Sequence, residues 1–289
     1  MGARWNLAYG ARCSNTSMMS FVLGSLVGLL LALTGAGGGI LAVPLLVFAL
    51  HLGLAQAAPI GLLAVGLAAA MAATLGLRDG IVRYRAAMLM GGLAMLLAPL
   101  GVAAAQRVPN TPLTLAFAAV LALSAWRMWQ RARHALRAPV CDAPARAALP
   151  CVLDARDGRL VWTRPCAQAL AVTGVTAGLL SGLLGVGGGF VIVPALTRFT
   201  ELSARSIVAT SLAVIALASI GGVGAAAWHG AILWDVALPF AVGSVLASLA
   251  ARVIAARIAG PRLQQGFAVV SLCVAVLLIA RVAGVFALH

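Results

Sequence analysis

Two glycine clusters are the residues of this chain best suited to bind a ligand through the backbone. Consecutive glycines allow positive φ angles and close approach, so several N–H groups can point into one concave space, where a small anion is the natural guest. The helical segment after each cluster turns its positive dipole end to the same space. The residues predicted to form the substrate site are Gly35, Gly37, Gly38, Gly39 and Pro44 in the first cluster, and Gly185, Gly187, Gly188, Gly189 and Pro194 in the second.

The two clusters belong to an internal duplication with an offset of 150 residues. Of the 19 positions in 28–46, 11 are identical to their partners in 178–196, and the offset continues without a gap to Leu113 and Leu263. Duplicated halves with glycine- and proline-interrupted apolar segments are typical of transporters that bind substrate near the bilayer midplane. The pattern therefore predicts one shared site and transport by alternating access.

Close helix packing is the competing interpretation of the glycines, because small residues let membrane helices approach each other. For a single isolated cluster, packing is the better explanation. Duplication of the cluster together with its proline favours binding, because a proline at a fixed position removes a backbone donor and sets a local geometry.

The composition requires that membrane helices position these clusters. The chain is 63% hydrophobic and only 9% charged, with a mean hydropathy of +1.08, whereas soluble domains carry about 25% charged residues. The net charge of +14 comes from 20 basic residues, all of them arginine. These arginines lie between apolar segments and are not interleaved with aromatic residues, so they indicate anchoring in the lipid bilayer and not nucleic-acid binding.

Five apolar segments recur in each half, which predicts an all-α, polytopic membrane protein. The segment after each glycine cluster has only about a dozen residues, fewer than the roughly 20 that cross the hydrocarbon core. The first two segments of each half therefore form either a hairpin or a broken helix. The predicted segments are 18–34, 39–50, 57–77, 86–105 and 112–126 in the first half, and 168–184, 189–200, 207–227, 236–256 and 264–285 in the second.

The arginines also indicate how the halves are oriented. In the first half the loop after the third segment is basic, with Arg78, Arg83 and Arg85, while the equivalent loop of the second half has no basic residue. If basic loops face the cytoplasm, the two homologous repeats of four or five helical segments are inverted. The predicted regions are an N-terminal extension at 1–17, a first transmembrane repeat at 18–126, a cytoplasmic connector at 127–166 and a second transmembrane repeat at 167–289.

Other chemistry finds little support in the sequence. The acidic residues Asp79, Glu201 and Asp235 fall in or beside loops, so no carboxylate is expected at the site. The four histidines show no metal-ligand spacing, and we expect no metal, no cofactor and no enzymatic activity. The five cysteines form no CxxC pair, which favours incidental thiols without disulfides. A membrane thiol-relay or assembly factor without transport activity is the alternative function.

The doubled pattern Gly-x-Gly-Gly-Gly-x4-Pro-x-Leu resembles the sulfite exporter family named for TauE and SafE. The resemblance covers about 20–285 and implies a bacterial inner-membrane protein that moves sulfite, sulfonates or related organic anions, often outward. The family also shows Thr-Ser after the motif segment, which implies substrate-contacting hydroxyls at Thr210 and Ser211. In the first half Ile60 and Gly61 stand at these positions, so the predicted site is asymmetric. The resemblance leaves the oligomeric state, the coupling ion and the identity of the anion open.

Overall fold

The computed structural model describes residues 17–32, 39–137, 151, 162–258 and 261–287, and this part of the chain is helical apart from turns and one isolated bridge between Cys151 and Thr200. Ten helices follow in order: α1 (Ser17–Ala32), α2 (Gly39–Ala49), α3 (Leu54–Arg78), α4 (Tyr84–Arg107), α5 (Asn110–Arg137), α6 (Arg164–Leu184), α7 (Gly189–Phe199), α8 (Ala204–Trp228), α9 (Trp234–Ile258) and α10 (Pro261–Ala287).

The helices confirm the predicted all-α class and the ten segments. The helices after the two glycine clusters, α2 and α7, have 11 residues each. Six others are long and apolar enough to cross a membrane: α3, α4, α5, α6, α8 and α9. Helix α5 continues to Arg137, beyond the apolar segment predicted to end at 126. Its last turns are rich in Arg and Ala, which are polar or small but form helices readily.

Helices α6 and α7 form a hairpin. The structure thus decides between the hairpin and the broken helix that the sequence left open. Helix α7 returns along α6, because a Cβ at Gly188 would lie 3.1 Å from the Cβ of Ala177, two turns before the end of α6. At the open end of the hairpin, the Phe199 carbonyl accepts a hydrogen bond from the Cys151 N–H at 3.2 Å. Cys151 is in turn bonded to Cys166, in the first turn of α6.

The expectation that no disulfide forms was wrong for this pair. Cys151 and Cys166 are disulfide-bonded with a Cα–Cα distance of 5.0 Å, and both are buried. They are separated by 15 residues without a recognisable motif; only the return of the chain to the hairpin brings them together. Cys273 is a free, exposed thiol on α10, and Cys13 and Cys141 lie outside the described residues.

The first helix of each half packs against the fourth helix of the other half. In the second half, a Cβ at Gly178 of α6 would lie 2.6 Å from the Cα of Ala94 in α4. In the first half, Gly28 of α1 meets the backbone of Ser244 in α9 in the same way. The two contacts are equivalent at the offset of 150. In lipid the hydrophobic effect does not drive helices together, and small residues such as these stabilise the packing by letting the two backbones come into contact.

Helices α3 and α8 cross at the centre of the protein and run antiparallel. Along α3, the positions of Leu62, Gly66 and Gly76 meet Gly222, Ser219 and Ala209 of α8, so the contacts advance along one helix as they recede along the other. A larger share of these two helices is buried than of the other spanning helices. The large apolar side chains that remain exposed, such as Leu96, Val172 and Val276, are suited to contact lipid.

Candidate anion-binding site

The second glycine cluster is the loop that joins α6 to α7, and it adopts the predicted backbone geometry. Gly185, Gly187 and Gly188 have φ angles of 72°, 79° and 69°. Gly185 ends α6 in the left-handed conformation, and Gly188 precedes the first turn of α7 in the same conformation. Residues with side chains rarely adopt these angles, so the backbone conformation is by itself a sufficient reason for glycine at these three positions.

Five successive N–H groups, in this loop and the first turn of α7, lack a hydrogen-bond acceptor among the described residues; those of Gly189 and Phe190 are ones that any helix leaves unpaired at its amino end. Within the part of the chain that the structure describes, the N–H groups of residues 186–190 donate to no backbone or side-chain atom, and the first bonds of α7 are those from Val191 and Ile192 to the Gly188 carbonyl. The loop residues 185–189 are buried. Unpaired N–H groups in apolar surroundings cost several kcal/mol each. A bound group that accepts hydrogen bonds from them would therefore stabilise the loop.

Gly39, the one glycine of the first cluster that the structure describes, contacts the second cluster. A Cβ at Gly39, the last glycine of the first cluster, would lie 2.9 Å from the carbonyl oxygen of Val186 in the second. Val65 of α3 lies between them, because its side chain approaches both Gly39 and Gly187. Helix α2 begins at Gly39, as predicted for a helix that turns its amino end to the site. Gly35, Gly37 and Gly38 lie outside the described residues.

The loop rests on the amino-terminal part of α3. A side chain at Gly185 would overlap the backbone of Ala58, and a Cβ at Gly61 would lie 3.5 Å from the Gly185 carbonyl oxygen. Gly185 therefore serves close packing as well as the turn. The packing interpretation is correct for this glycine, and it coexists with the unpaired N–H groups that follow.

The two prolines of the motif lie inside their helices, at the sixth residue of α2 and of α7. They do not start these helices, which begin at Gly39 and Gly189. Proline has no N–H, so the carbonyls four residues earlier, those of Ile40 and Phe190, lose their usual helical donor. Pro44 is buried and Pro194 is half-buried. Each short helix thus lacks one hydrogen bond in its first two turns.

Thr210 and Ser211 are buried in α8, and their hydroxyls are engaged within the protein. The Thr210 Oγ1 accepts a hydrogen bond at 3.1 Å from the N–H of Arg83, in the turn between α3 and α4. The Ser211 Oγ donates to the Val208 carbonyl of its own helix at 2.8 Å. Ser206, one turn earlier, donates to the Ile81 carbonyl of the same turn at 2.7 Å. These contacts fasten the α3–α4 turn to α8, and substrate contact by Thr210 and Ser211 stays a prediction.

The three acidic residues outside the connector lie at helix ends, as the sequence predicted. Asp79 caps the carboxyl end of α3, Glu201 lies between α7 and α8, and Asp235 is in the first turn of α9. Arg281 of α10 caps the carboxyl end of α2, since its guanidinium donates to the Val47 carbonyl at 3.3 Å and lies 5.7 Å from the ring centre of Phe48. The sequence offered no signal for this contact between the halves.

Four polar side-chain atoms in the described part of the chain are buried without a hydrogen-bond partner. They belong to Ser181, Ser244, Ser271 and the Nε of Arg83. Sequence reasoning selected none of the three serines, because a serine in an apolar helix carries no motif that distinguishes it from the many that bond back to their own helix.

A comparison with known protein families identifies the family to which this sequence belongs. The model of the family described as "Sulfite exporter TauE/SafE" matches residues 20–278. The chain belongs to this family. Two relatives, both called "Probable membrane transporter protein", come from Xylella fastidiosa strains 9a5c and Temecula1. Each is 29% identical, over 262 and 264 residues respectively, covering 89% of this chain and 93% of the relative. No solved structure matches.

Membership confirms the resemblance that the doubled motif carried. The sulfite exporter TauE/SafE family is a family of membrane transporters, and its bacterial relatives and six spanning helices identify this chain as a multi-pass membrane protein. The predicted localisation in a bacterial inner membrane agrees with this finding.

Proposed function

We propose that this TauE/SafE protein transports small anions, with sulfite, sulfonates and related organic anions as the substrate class, outward across the inner membrane. The observation that carries the proposal is the run of N–H groups at residues 186–190 that are unpaired among the described residues, in a segment that is buried from 186 to 189. Three glycines that precede or belong to this run, Gly185, Gly187 and Gly188, hold positive φ angles, which makes the loop a concave donor surface at a helix amino end. An anion is the ligand that such a surface stabilises best.

We further propose that the two halves are inverted repeats that alternate access around the meeting point of the clusters. The antiparallel crossing of α3 and α8 supports this, because these helices are partners at the offset of 150. The reciprocal packing of α1 on α9 and of α6 on α4 gives each half a surface against which the other can rock. The contact of Gly39 with Val186 lies between the halves, where such motion would expose the site to either side.

The arginines support a cytoplasmic position for one end of the bundle. Ser206 and Thr210 join the α3–α4 turn to the start of α8, next to the open end of the α6–α7 hairpin and the connector. Assigned by the helix end nearest in sequence, all of the 20 arginines belong to this end except Arg4, Arg12, Arg107 and Arg281. We assign this end to the cytoplasm, since basic residues are retained there.

Transport into proteoliposomes tests the proposal, with sulfite, methanesulfonate, sulfate, acetate and chloride as the panel. The site variant is Gly187→Ala, whose new Cβ would lie 2.8 Å from the Cγ2 methyl of Ile215. The matched control is Gly230→Ala, which has a φ of 64° but no atom within 4 Å. Both substitutions carry the same left-handed strain of about 1–2 kcal/mol, so a difference between them reports the surroundings of Gly187, including its contact with Ile215.

We expect saturable uptake of at least one sulfur oxyanion, at least tenfold slower in Gly187→Ala than in Gly230→Ala at equal reconstitution. Wild-type protein that moves none of the panel would overturn the proposed function. Equal rates for the two variants would show that the cluster only shapes the hairpin.

The alternative function, thiol relay, requires cysteines that exchange with a partner. Cys151 and Cys166 are bonded to each other and buried, which shields both sulfurs from a partner thiol. Among the described residues only Cys273 is a free thiol. The cysteines therefore give this alternative no support.

A further inference from the structure

We propose that the hydroxyl of Ser181 is a substrate ligand, and that it completes an uncharged donor set for an oxyanion together with the N–H groups of the α6–α7 loop. This inference rests on the proposed function and names a residue that neither the motif nor the family resemblance singled out. Three observations carry it: the missing partner of the hydroxyl, its place on α6, and its absence from the first half.

Ser181 differs from most hydroxyl residues of the described helices and shares its lack of a partner with Ser244 and Ser271. Thr173, Thr176 and Ser219 each donate to the carbonyl four residues earlier, at 2.7 to 2.9 Å. Such back-bonding is the usual behaviour of serine and threonine in membrane helices. The Ser181 Oγ has no partner in the described part of the chain, although the residue is 0% exposed. A buried hydroxyl without a partner costs about 1–3 kcal/mol, so a bound acceptor would stabilise it.

The helix directs Ser181 toward the loop. Ala177 and Ser181 are four residues apart and therefore lie one turn apart on the same face of α6. Gly188 packs on Ala177, while the Gly185 N–H donates to the Ser181 carbonyl at 2.8 Å. Residues 185 to 188 thus run back along this face of α6. They start at the carboxyl end of the helix, beyond Ser181, and reach Ala177, which lies one turn from Ser181 toward the amino end. The Ser181 side chain consequently faces the segment whose N–H groups are unpaired.

The first half has no equivalent hydroxyl. The partner of Ser181 at the offset of 150 is Leu31, a buried apolar residue. The substrate site would then be asymmetric, with hydroxyl donation from the second half only. The donors that the described residues offer here, backbone N–H groups and one hydroxyl, carry no formal charge. An ionised oxyanion with several acceptor oxygens suits this donor set, since separate oxygens can accept from the loop and from Ser181.

The test compares Ser181→Ala with Ser244→Ala in purified full-length protein. Ser244 is the matched control, because it is also buried without a partner but lies on α9, where its backbone meets Gly28 of α1. The probe is methanesulfonate, which stays ionised at any pH of the experiment, and the readouts are its Kd by calorimetry and the Tm with and without it. Loss of a hydrogen bond to a charged ligand predicts a Kd increase of about tenfold to a hundredfold for Ser181→Ala.

We expect Ser244→Ala to change the Kd by less than about twofold. Without ligand, Ser181→Ala should keep or raise the Tm, since it removes an unsatisfied buried group; a purely structural serine would instead lower it. If wild-type protein binds methanesulfonate and Ser181→Ala binds it equally well, Ser181 is not a ligand and the proposed function survives. If wild-type protein binds neither methanesulfonate nor sulfite, the failure belongs to the proposed function.

Discussion

Glycines in this protein have two roles, close helix packing and positive φ angles in a loop, and Gly185 combines both. Gly28 and Gly178 are helical and let helices touch, whereas Gly187 and Gly188 hold positive φ angles in a loop with unpaired N–H groups. Sensitivity to a larger side chain therefore does not by itself identify a substrate ligand. The sequence predicted the conformation of the second cluster because only glycine tolerates it, but it gave no sign of Ser181, whose importance depends on what surrounds its hydroxyl.

A residue-scale prediction contrasts Gly178→Ala with Gly92→Ala. A Cβ at Gly178 would lie 2.6 Å from both the Cα and the carbonyl oxygen of Ala94, while Gly92 has no atom within 4 Å. The first substitution forces α6 away from α4 and should destabilise the protein by about 1–3 kcal/mol. The second should be neutral or stabilising, because alanine favours a helix by about 1 kcal/mol over glycine. Thermal unfolding in detergent measures both, and equal Tm values would contradict the close α4–α6 contact.

At the scale of elements, hydropathy predicted most of the helices but neither the polar end of α5 nor the disulfide that joins the connector to α6. The spanning helices and the two short helices were predictable because apolar length reports membrane burial directly. The polar end of α5 was not predictable, because hydropathy cannot show whether a helix continues into a polar segment. The disulfide was also invisible, because the pairing of Cys151 with Cys166 depends on a chain return that no local pattern encodes.

The disulfide should stabilise the α6–α7 hairpin, since it links the connector to the first turn of α6 beside the end of α7. Its loss from purified protein, by reduction or by Cys166→Ser, should cost about 2–4 kcal/mol of unfolding free energy. Cys273→Ser is the control, because Cys273 is exposed and free. Peptide mapping without reductant should recover a Cys151–Cys166 crosslink, and a Tm that reductant does not change would argue against the bond.

At the scale of the whole molecule, the duplication organises both the packing and the charge. The sequence predicted two similar halves and a reversed arginine bias, and the antiparallel α3 and α8 agree with that reversal. The disulfide also lies at the arginine-rich end, which we propose to be cytoplasmic. Because all but four arginines belong to this end, we expect the arginines to decide the orientation.

Labelling of two equivalent residues decides the orientation. Tyr84 and Trp234 are partners at the offset of 150, both are the first residue of their helix, and they are 55% and 50% exposed. In a background without other cysteines, Tyr84→Cys should resist a membrane-impermeant maleimide in intact cells and react after lysis, while Trp234→Cys should react in both. Because the two positions are equivalent and similarly exposed, local accessibility does not explain a difference in their reaction with the maleimide. Such a difference therefore reports the side of the membrane on which each residue lies. Reaction of both from the same side would exclude inverted repeats, because equivalent helix starts in inverted halves must face opposite compartments.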